Sequence, residues 1–256
     1  MKDFEFKSSP SIFIATAIHS GHHIRRELWP YLQISEEDRL REEDPFTNLF
    51  TDLCLNRVLV NTSRFEVDLN RPLENCVYKT SHDSWGLDVW KKSMPQKLLK
   101  LSYDKHIYFY DKLANFLKKK IKEHGKVIIL DIHSYNYRRN HESYEYLQGE
   151  KYPDINIGTA SMNRNNWSHL LDPFISTLKN ESFFERNLVV AENKIFMGGY
   201  MSQWIHKNFP NNCCSISIEF KKIFMDEWTG EMFDNKLNRL KEILKVAILS
   251  IKTQVS

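Results

Sequence analysis

Three apolar runs in this chain end in side chains for which a buried strand has no structural use. SIFIATAIHSGHH, Ser11 to His23, includes three histidines; KVIILDIHSYN, Lys126 to Asn136, carries Asp131, His133 and Ser134; CSISIEFKK, Cys214 to Lys222, contains Glu219 near its end. Neutral imidazole is the commonest zinc ligand, and a catalytic zinc takes three protein ligands while leaving one position for water. His19 and His133, each at the tip of its own run, are therefore candidate metal ligands, with Asp131 or Ser134 available to orient the second ring. Glu219 sits among Ile216, Ile218 and Phe220, where partial loss of water would raise its pKa and suit it to act as a general base. Plainer readings exist for each: histidines that cap a strand end or face solvent, and a glutamate paired with Lys221 or Lys222.

The stretch SRFEVDLNRP, Ser63 to Pro72, alternates Phe65, Val67 and Leu69 with Glu66, Asp68 and Asn70, which predicts a strand with one polar face. Arg64 and Arg71 flank the alternation. An arginine fork binds a carboxylate through two hydrogen bonds, and beside a metal it can polarise a carbonyl oxygen. An edge strand with salt-bridged arginines would leave the same trace. In FMGGYMSQW, Gly198 and Gly199 precede Tyr200, which reads either as a flexible loop carrying an aromatic over a pocket or as a tight turn.

These residues need a scaffold. With 256 residues, 41% hydrophobic and 27% charged, the chain has the composition of an ordinary globular protein with a sizeable core. No repeat, low-complexity segment or Gly/Ser linker divides it, so one domain over residues 1–256 is expected. The net charge of +3 comes from 36 basic and 33 acidic residues, a balance that argues against a nucleic-acid partner. The basic run LKKKIKEHGK reads as a solvated helix face. No secretory signal is read in the opening residues, and no apolar run approaches the ~20 residues a bilayer requires. A soluble, cytoplasmic protein without a membrane partner is the expectation. Cys54, Cys76, Cys213 and Cys214 lack metal-site spacing and read as reduced core thiols.

Strands are expected over Ser11–Ile18, Val58–Asn61, Phe65–Leu69, Val127–Ile132, Leu188–Ala191 and Ser215–Phe220. Helices are expected over Pro45–Leu55, capped by Asp44, and over Gln96–His124, Asn166–Leu178 and Asp234–Thr253. Two long irregular stretches, Pro72–Met94 and Ser134–Ser161, are candidates for shaping a site. Strands apolar on both faces and alternating with helices imply an α/β fold, a three-layer α/β/α sandwich around a mostly parallel mixed sheet. Ligands in such sheets sit beyond the carboxyl ends of the strands, where His19, His133 and Glu219 fall.

The succession IHSG, SRFEVDLNRP, DIHSYN, DINIGT (Asp154 to Thr159), NKIFMGGY (Asn193 to Tyr200) and SIEFKKIFMDE resembles the N-formylglutamate amidohydrolase family, from Ile14 to about Glu231. That family is similar to the zinc carboxypeptidases and to aspartoacylase-like deacylases. The resemblance implies a zinc-carboxypeptidase-like fold, one zinc ion per chain and hydrolysis of the linear amide of a small N-acylated amino acid. N-Formyl-L-glutamate, cleaved to formate and glutamate, is the implied substrate. By the same resemblance His19 and His133 are the first and last zinc ligands, Arg64 polarises the scissile carbonyl, Asn70 and Arg71 hold the substrate carboxylate, and Glu219 is the general acid/base. Tyr200 would close over the substrate. The related deacylases carry His-x-x-Glu, which would put an acid at position 22, where this chain has His22. Either His22 itself is the middle ligand, or an acid of REEDPF supplies it: Glu42, Glu43 or Asp44. With Asp44 expected at a helix cap, Glu43 is favoured, although an acid-rich helix start needs no metal to explain it. Two alternatives stay open: a related metallohydrolase acting on another acyl-amino acid or a small peptide, and a non-catalytic binding protein on the same scaffold. The sequence leaves the oligomeric state undetermined.

Overall fold

The computed structural model describes residues 2–91, 94–138, 151–252 and 254. A seven-stranded sheet is built from β1 (Phe4–Lys7), β2 (Phe13–Ala17), β3 (Asn56–Val60), β4 (Val127–Tyr135), β5 (Ile155–Gly158), β8 (Val190–Glu192) and β9 (Cys213–Lys221), while β6 (Ser182–Phe183) and β7 (Arg186–Asn187) form a separate ribbon. The order across the large sheet is β1-β3-β2-β4-β9-β5-β8. β3, β2, β4 and β9 run parallel; β5 is antiparallel to β9 but parallel to β8, and β1 is antiparallel to β3. The helices are α1 (Glu36–Glu42), α2 (Gln96–His124), α3 (Arg164–Asn180), α4 (Tyr200–Asn208) and α5 (Asp234–Lys252).

The two faces of β4 and β9 explain both the layering and the site. Successive side chains on a strand point to opposite faces. Ile128, Leu130 and Ile132 of β4, with Ile216 and Ile218 of β9, pack in one cluster with Trp167 of α3 and Leu240 of α5. Val127, Ile129 and Cys213 pack in the other, with Phe109 and Leu113 of α2 and Met201 and Ile205 of α4. Helices thus cover both faces, as the apolar runs required. On the α2/α4 face the apolar series stops short: Asp131 and His133 continue it on β4, and Ser215, Ser217 and Glu219 on β9. His133 and Glu219 are register partners across the parallel pair. Among the described residues, no helix is long and apolar enough to cross a membrane.

Several elements depart from the sequence expectation. Phe65–Leu69 is not a strand: the amides of Glu66 and Val67 both donate to the Ser63 carbonyl, and Asp68 N donates to Cys76 O. Its alternation has another origin. Phe65 packs with Tyr78 and Leu28, Val67 and Leu69 join the α2/α4 core, and Glu66 and Asp68 are buried as well. Glu66 is held by Arg25 and Lys105, so the supposed solvent face is an internal ion-pair network.

The expected helix Pro45–Leu55 is a 3-10 helix over Thr47–Leu53, preceded by Phe46 in the left-handed region at φ 68°. Asp44 does not cap it with its carboxylate; its main-chain oxygen takes the hydroxyl of Thr47 at 2.6 Å instead. Asn166–Leu178 is extended to Arg164–Asn180, and Thr253 of the last expected helix lies outside the described residues. Of the two irregular stretches, Pro72–Met94 contains 3-10 turns at Leu73–Asn75 and Ser81–Ser84, and residues 92–93 lie outside the described residues. Ser134–Ser161 includes the end of β4 and all of β5, and residues 139–150 likewise lie outside.

Candidate active site

His19 lies two residues beyond the end of β2, and its carbonyl accepts the amide of Asp44 at 2.9 Å, which lays the segment after α1 against the strand tip. The carboxylate of Asp44 then reaches two imidazoles: Oδ2 lies 3.5 Å from His19 Nδ1 and 3.0 Å from His133 Nδ1. The two rings stand edge to face with centroids 5.0 Å apart. Among the described residues, His19, Asp44 and His133 form a buried group whose donor atoms all lie within 4.8 Å of one another.

The outer nitrogens of both rings face buried carboxylates. His19 Nε2 is 2.7 Å from Asp68 Oδ1, and His133 Nε2 is 3.1 Å from Asp131 Oδ1 without aligning as a hydrogen bond. Two inward nitrogens, one carboxylate oxygen and a carboxylate behind each ring form a donor set that suits a divalent ion, because outer carboxylates fix the ring orientation and raise ligand basicity. The electrostatics agree. Burial disfavours the charged form of His133, but Asp131 and Glu219 outweigh it and hold the imidazolium well above its ordinary pKa. Burial likewise raises Asp44, while His133 and His19 hold it well below the usual carboxylate range. The cluster stabilises buried positive charge, as a metal site must.

Asp68 also serves a second residue. Its Oδ2 accepts from Arg64 Nη2 at 2.9 Å and from the Tyr78 hydroxyl at 2.5 Å, while Arg64 Nε donates to that hydroxyl at 2.9 Å. The guanidinium of Arg64 also stacks on Trp85, 4.7 Å from the ring centroid. One buried carboxylate thereby connects a candidate ligand to the candidate carbonyl-polarising arginine.

Glu219, beside His133 in the sheet, has its pKa pushed up to about 8, chiefly by burial, with Asp44 and Asp131 adding to the rise and His133 and Arg64 opposing it. A cation in the cluster would draw it down again.

A cavity of about 540 Å³ joins these groups, bordered by His19, Asp44, Arg64, Asn70, His133 and Glu219. Seven of the residues singled out by the sequence are therefore distributed as follows. His19, His133, Arg64, Asn70 and Glu219 share the cavity. Arg71 does not border it; its Nη2 donates to Asp83 O at 2.7 Å and its guanidinium lies over Tyr78. Nor does Tyr200, which opens α4 rather than a loop and packs against His106 and Tyr110. The double glycine is a close-packed helix entry: a Cβ at Gly199 would lie 2.1 Å from Asn70 Nδ2.

The structure does not bring His22 or Glu43 into the cluster. They pair with each other, Glu43 also accepting from Ser63 Oγ, and that partnership raises the pKa of His22. Asp44 fills the third position. Sequence spacing gave no notice of Asp68 behind His19, beyond its place in the polar alternation, or of the buried Lys222. Its ammonium donates to the carbonyls of Arg41 and Glu43 and to Asn136 Oδ1.

The chain is a three-layer α/β sandwich with a buried His–Asp–His cluster at its strand tips, and sequence comparison names its family. Residues 11–225 match the profile of the N-formylglutamate amidohydrolase family, and the chain belongs to it. An N-formylglutamate amidohydrolase from Ralstonia eutropha JMP134 has the same fold, with a TM-score of 0.79 at 15% identity over 100% of this chain and 98% of its own. A gene product of Agrobacterium tumefaciens aligns with a TM-score of 0.65 at 17% identity, covering 98% of this chain and 97% of its own. No curated protein is significantly similar in sequence. Family membership makes the chain a hydrolase acting on an amide.

Proposed function

We propose that the protein is a zinc-dependent amidohydrolase that cleaves the amide of an N-acylated amino acid, with N-formyl-L-glutamate as substrate and formate and glutamate as products. The cytoplasm is the proposed compartment and one ion per chain the proposed stoichiometry. The observation that carries the reading is the convergence of His19 Nδ1, His133 Nδ1 and Asp44 Oδ2, each imidazole backed by a buried carboxylate, in a member of this family. These three residues are the proposed ligands.

Zinc, when bound, supplies Lewis acidity that polarises the acyl oxygen and acidifies water. The remaining work falls to the chain. Glu219 takes a proton from the attacking water and delivers it to the departing amine nitrogen, a shuttle open to a carboxyl that borders the cavity beside His133 in the sheet. Arg64 stabilises the charge that develops on the carbonyl oxygen; its orientation is fixed in advance by Asp68, Tyr78 and Trp85, so little reorganisation accompanies the reaction. Asn70 holds the substrate carboxylate. Its Oδ1 accepts from Met201 N at 3.0 Å, which leaves Nδ2 as the donor for a ligand. Arg71 and Tyr200 are given no substrate contact, because neither borders the cavity.

The test is release of formate from N-formyl-L-glutamate by zinc-loaded protein, by chelated protein and by chelated protein after zinc is restored. Chelator-sensitive turnover that returns with zinc is the expected result. Absence of turnover in protein confirmed to hold zinc rejects the substrate, and failure to take up zinc rejects the ligand set.

A further inference from the structure

Part of the cavity wall plays no role in the chemistry above. Tyr135, Tyr152, Ile195, Phe196 and Met197 border the cavity alongside the reactive groups. Met197 is 54% exposed despite its apolar side chain, and the Phe196 ring lies tilted against Tyr135 with centroids 5.4 Å apart.

The segment that presents this wall is held rigidly. Asn156, fully buried on β5, accepts the amides of Lys194, Ile195 and Phe196 on one side-chain oxygen, at 3.0, 2.9 and 3.4 Å. Its amide donates back to Phe196 O at 2.8 Å. Asn156 is the register partner of Glu219, so the apolar segment is anchored to the strand beside the proposed general base. Further along, the chain presses so closely on β5 that a Cβ on Gly158 would lie 2.6 Å from Gly198 N. Rigid presentation of apolar groups to a cavity suits recognition of an apolar ligand portion, whose burial is favourable in proportion to its area.

The cations around the cavity have other employment. Arg41 pairs with Glu42 and Glu227, Arg138 pairs with Asp226, and Lys222 spends its donors on three oxygens of the chain. Apart from Arg64, which belongs to the scissile carbonyl, the described cations of the wall are thus neutralised or saturated. A substrate's second carboxylate finds no ready partner among them, whereas an apolar side chain finds a prepared surface. The wall also adjoins the carboxylate end of the substrate, since Asn70 is bonded to Met201 N and pressed against Gly199, two residues beyond Met197. The amino-acid side chain, attached one carbon from that carboxylate, is the portion that reaches it.

We propose that the site accepts N-formyl amino acids with apolar side chains, of the leucine, methionine or phenylalanine kind, at least as well as N-formyl-L-glutamate, and that Ile195, Phe196 and Met197 determine this specificity. The proposal rests on the amidohydrolase reading, and its test separates the two. Zinc-loaded protein is assayed for kcat/KM on N-formyl derivatives of leucine, methionine and glutamate, and on N-acetyl- and N-hexanoyl-L-glutamate. Apolar N-formyl substrates should equal or exceed N-formyl-L-glutamate, and F196A should lower the leucine-to-glutamate ratio by about tenfold, the order expected for losing burial of one apolar side chain. M197S, at an exposed position where folding is not at stake, should lower the ratio in the same direction. A kcat/KM for N-formyl-L-glutamate above those of the apolar N-formyl substrates overturns the proposal and leaves the amidohydrolase reading intact. A gain on lengthening the acyl group, with none on changing the amino acid, also overturns it by assigning the wall to the acyl half. No turnover of any member of the panel rejects the underlying reading and the proposal with it.

Discussion

Replacing Asp68 by Asn preserves the side chain's shape and one acceptor while removing its charge. That charge meets five groups: His19 Nε2 at 2.7 Å, Asn70 N at 2.8 Å, Arg64 Nη2 at 2.9 Å, the Tyr78 hydroxyl at 2.5 Å and, more distantly, Arg71 Nε at 3.6 Å. Burial alone would raise the Asp68 pKa, but Arg64 and His19 outweigh it and hold the group ionised well below its usual range. Two separable losses follow. The carboxylate behind His19 holds the ring in place, and removing such a partner of a metal-binding histidine typically weakens metal binding by about 10–100-fold, or about 1.4–2.7 kcal/mol. Arg64, whose side chain is 12% exposed, would lose its carboxylate. Breaking a buried pair on one side costs about 3–5 kcal/mol, and the lower end applies because Arg64 keeps Tyr78 and the Glu42 carbonyl. Zinc titration of chelator-stripped protein by calorimetry should therefore show a Kd raised by about 10–100-fold in D68N. Urea unfolding of the metal-free variant should show stability lower by about 3 kcal/mol. Zinc affinity within about twofold of wild type, accompanied by the full stability loss, would refute the reasoning: Asp68 would then support the fold without tuning the ligand.

D44N should lose bound zinc while H22Q keeps it, measured as metal content by mass spectrometry after dialysis; the opposite pattern would move the third ligand to His22. E219Q should retain zinc yet lose at least about 100-fold in kcat, and turnover at the wild-type rate would remove Glu219 from its role. A pH effect is expected at His206, where burial lowers the pKa from 6.5 to about 4. Its Nε2 accepts from Ser215 N, so the neutral ring donates from Nδ1 to Ser161. The folded state therefore disfavours protonation, and stability present above about pH 6.5 is lost as the pH falls toward about 4, by up to about 3 kcal/mol. H206Q can reproduce both hydrogen bonds without titrating, so its urea stability should fall less than that of wild type across this window. Parallel curves would show that His206 is not held neutral.

What the sequence disclosed was periodicity and its interruption. β4 and β9 were legible because aliphatic residues fill both faces until polar ones intrude, and the intruding His133 and Glu219 lie side by side in the sheet. α2 was legible down to its terminal Gly125, which adopts φ 77°. SRFEVDLNRP misled because alternation implies a strand only where one face meets water. Here Glu66 and Asp68 are as buried as Phe65 and Val67, and the chain turns to let both sets face inward. α4 was hidden by the double glycine before it, of which Gly199 permits close approach to Asn70 and Gly198 adopts φ 111°. β1 and α1 are short and half-exposed, too brief for a periodic signal.

The exchange of Glu43 for Asp44 in the cluster follows from main-chain geometry that composition does not encode. Glu43 ends α1 with extended dihedrals, φ −76° and ψ 176°, and on extended backbone neighbouring side chains point opposite ways. One of the two acids must face the histidines of the strand tips and the other must face away. The choice is made by the bonds that hold the segment: Asp44 N donates to His19 O on one side, and Lys222 takes the carbonyls of Arg41 and Glu43 on the other. With the peptide so fixed, Asp44 turns toward His19 and His133, and Glu43 toward Ser63 and His22. Which acid joins the two histidines is thus determined by a lysine and a backbone amide that are not themselves members of the cluster, which is why acid-rich spacing alone could not select between adjacent residues.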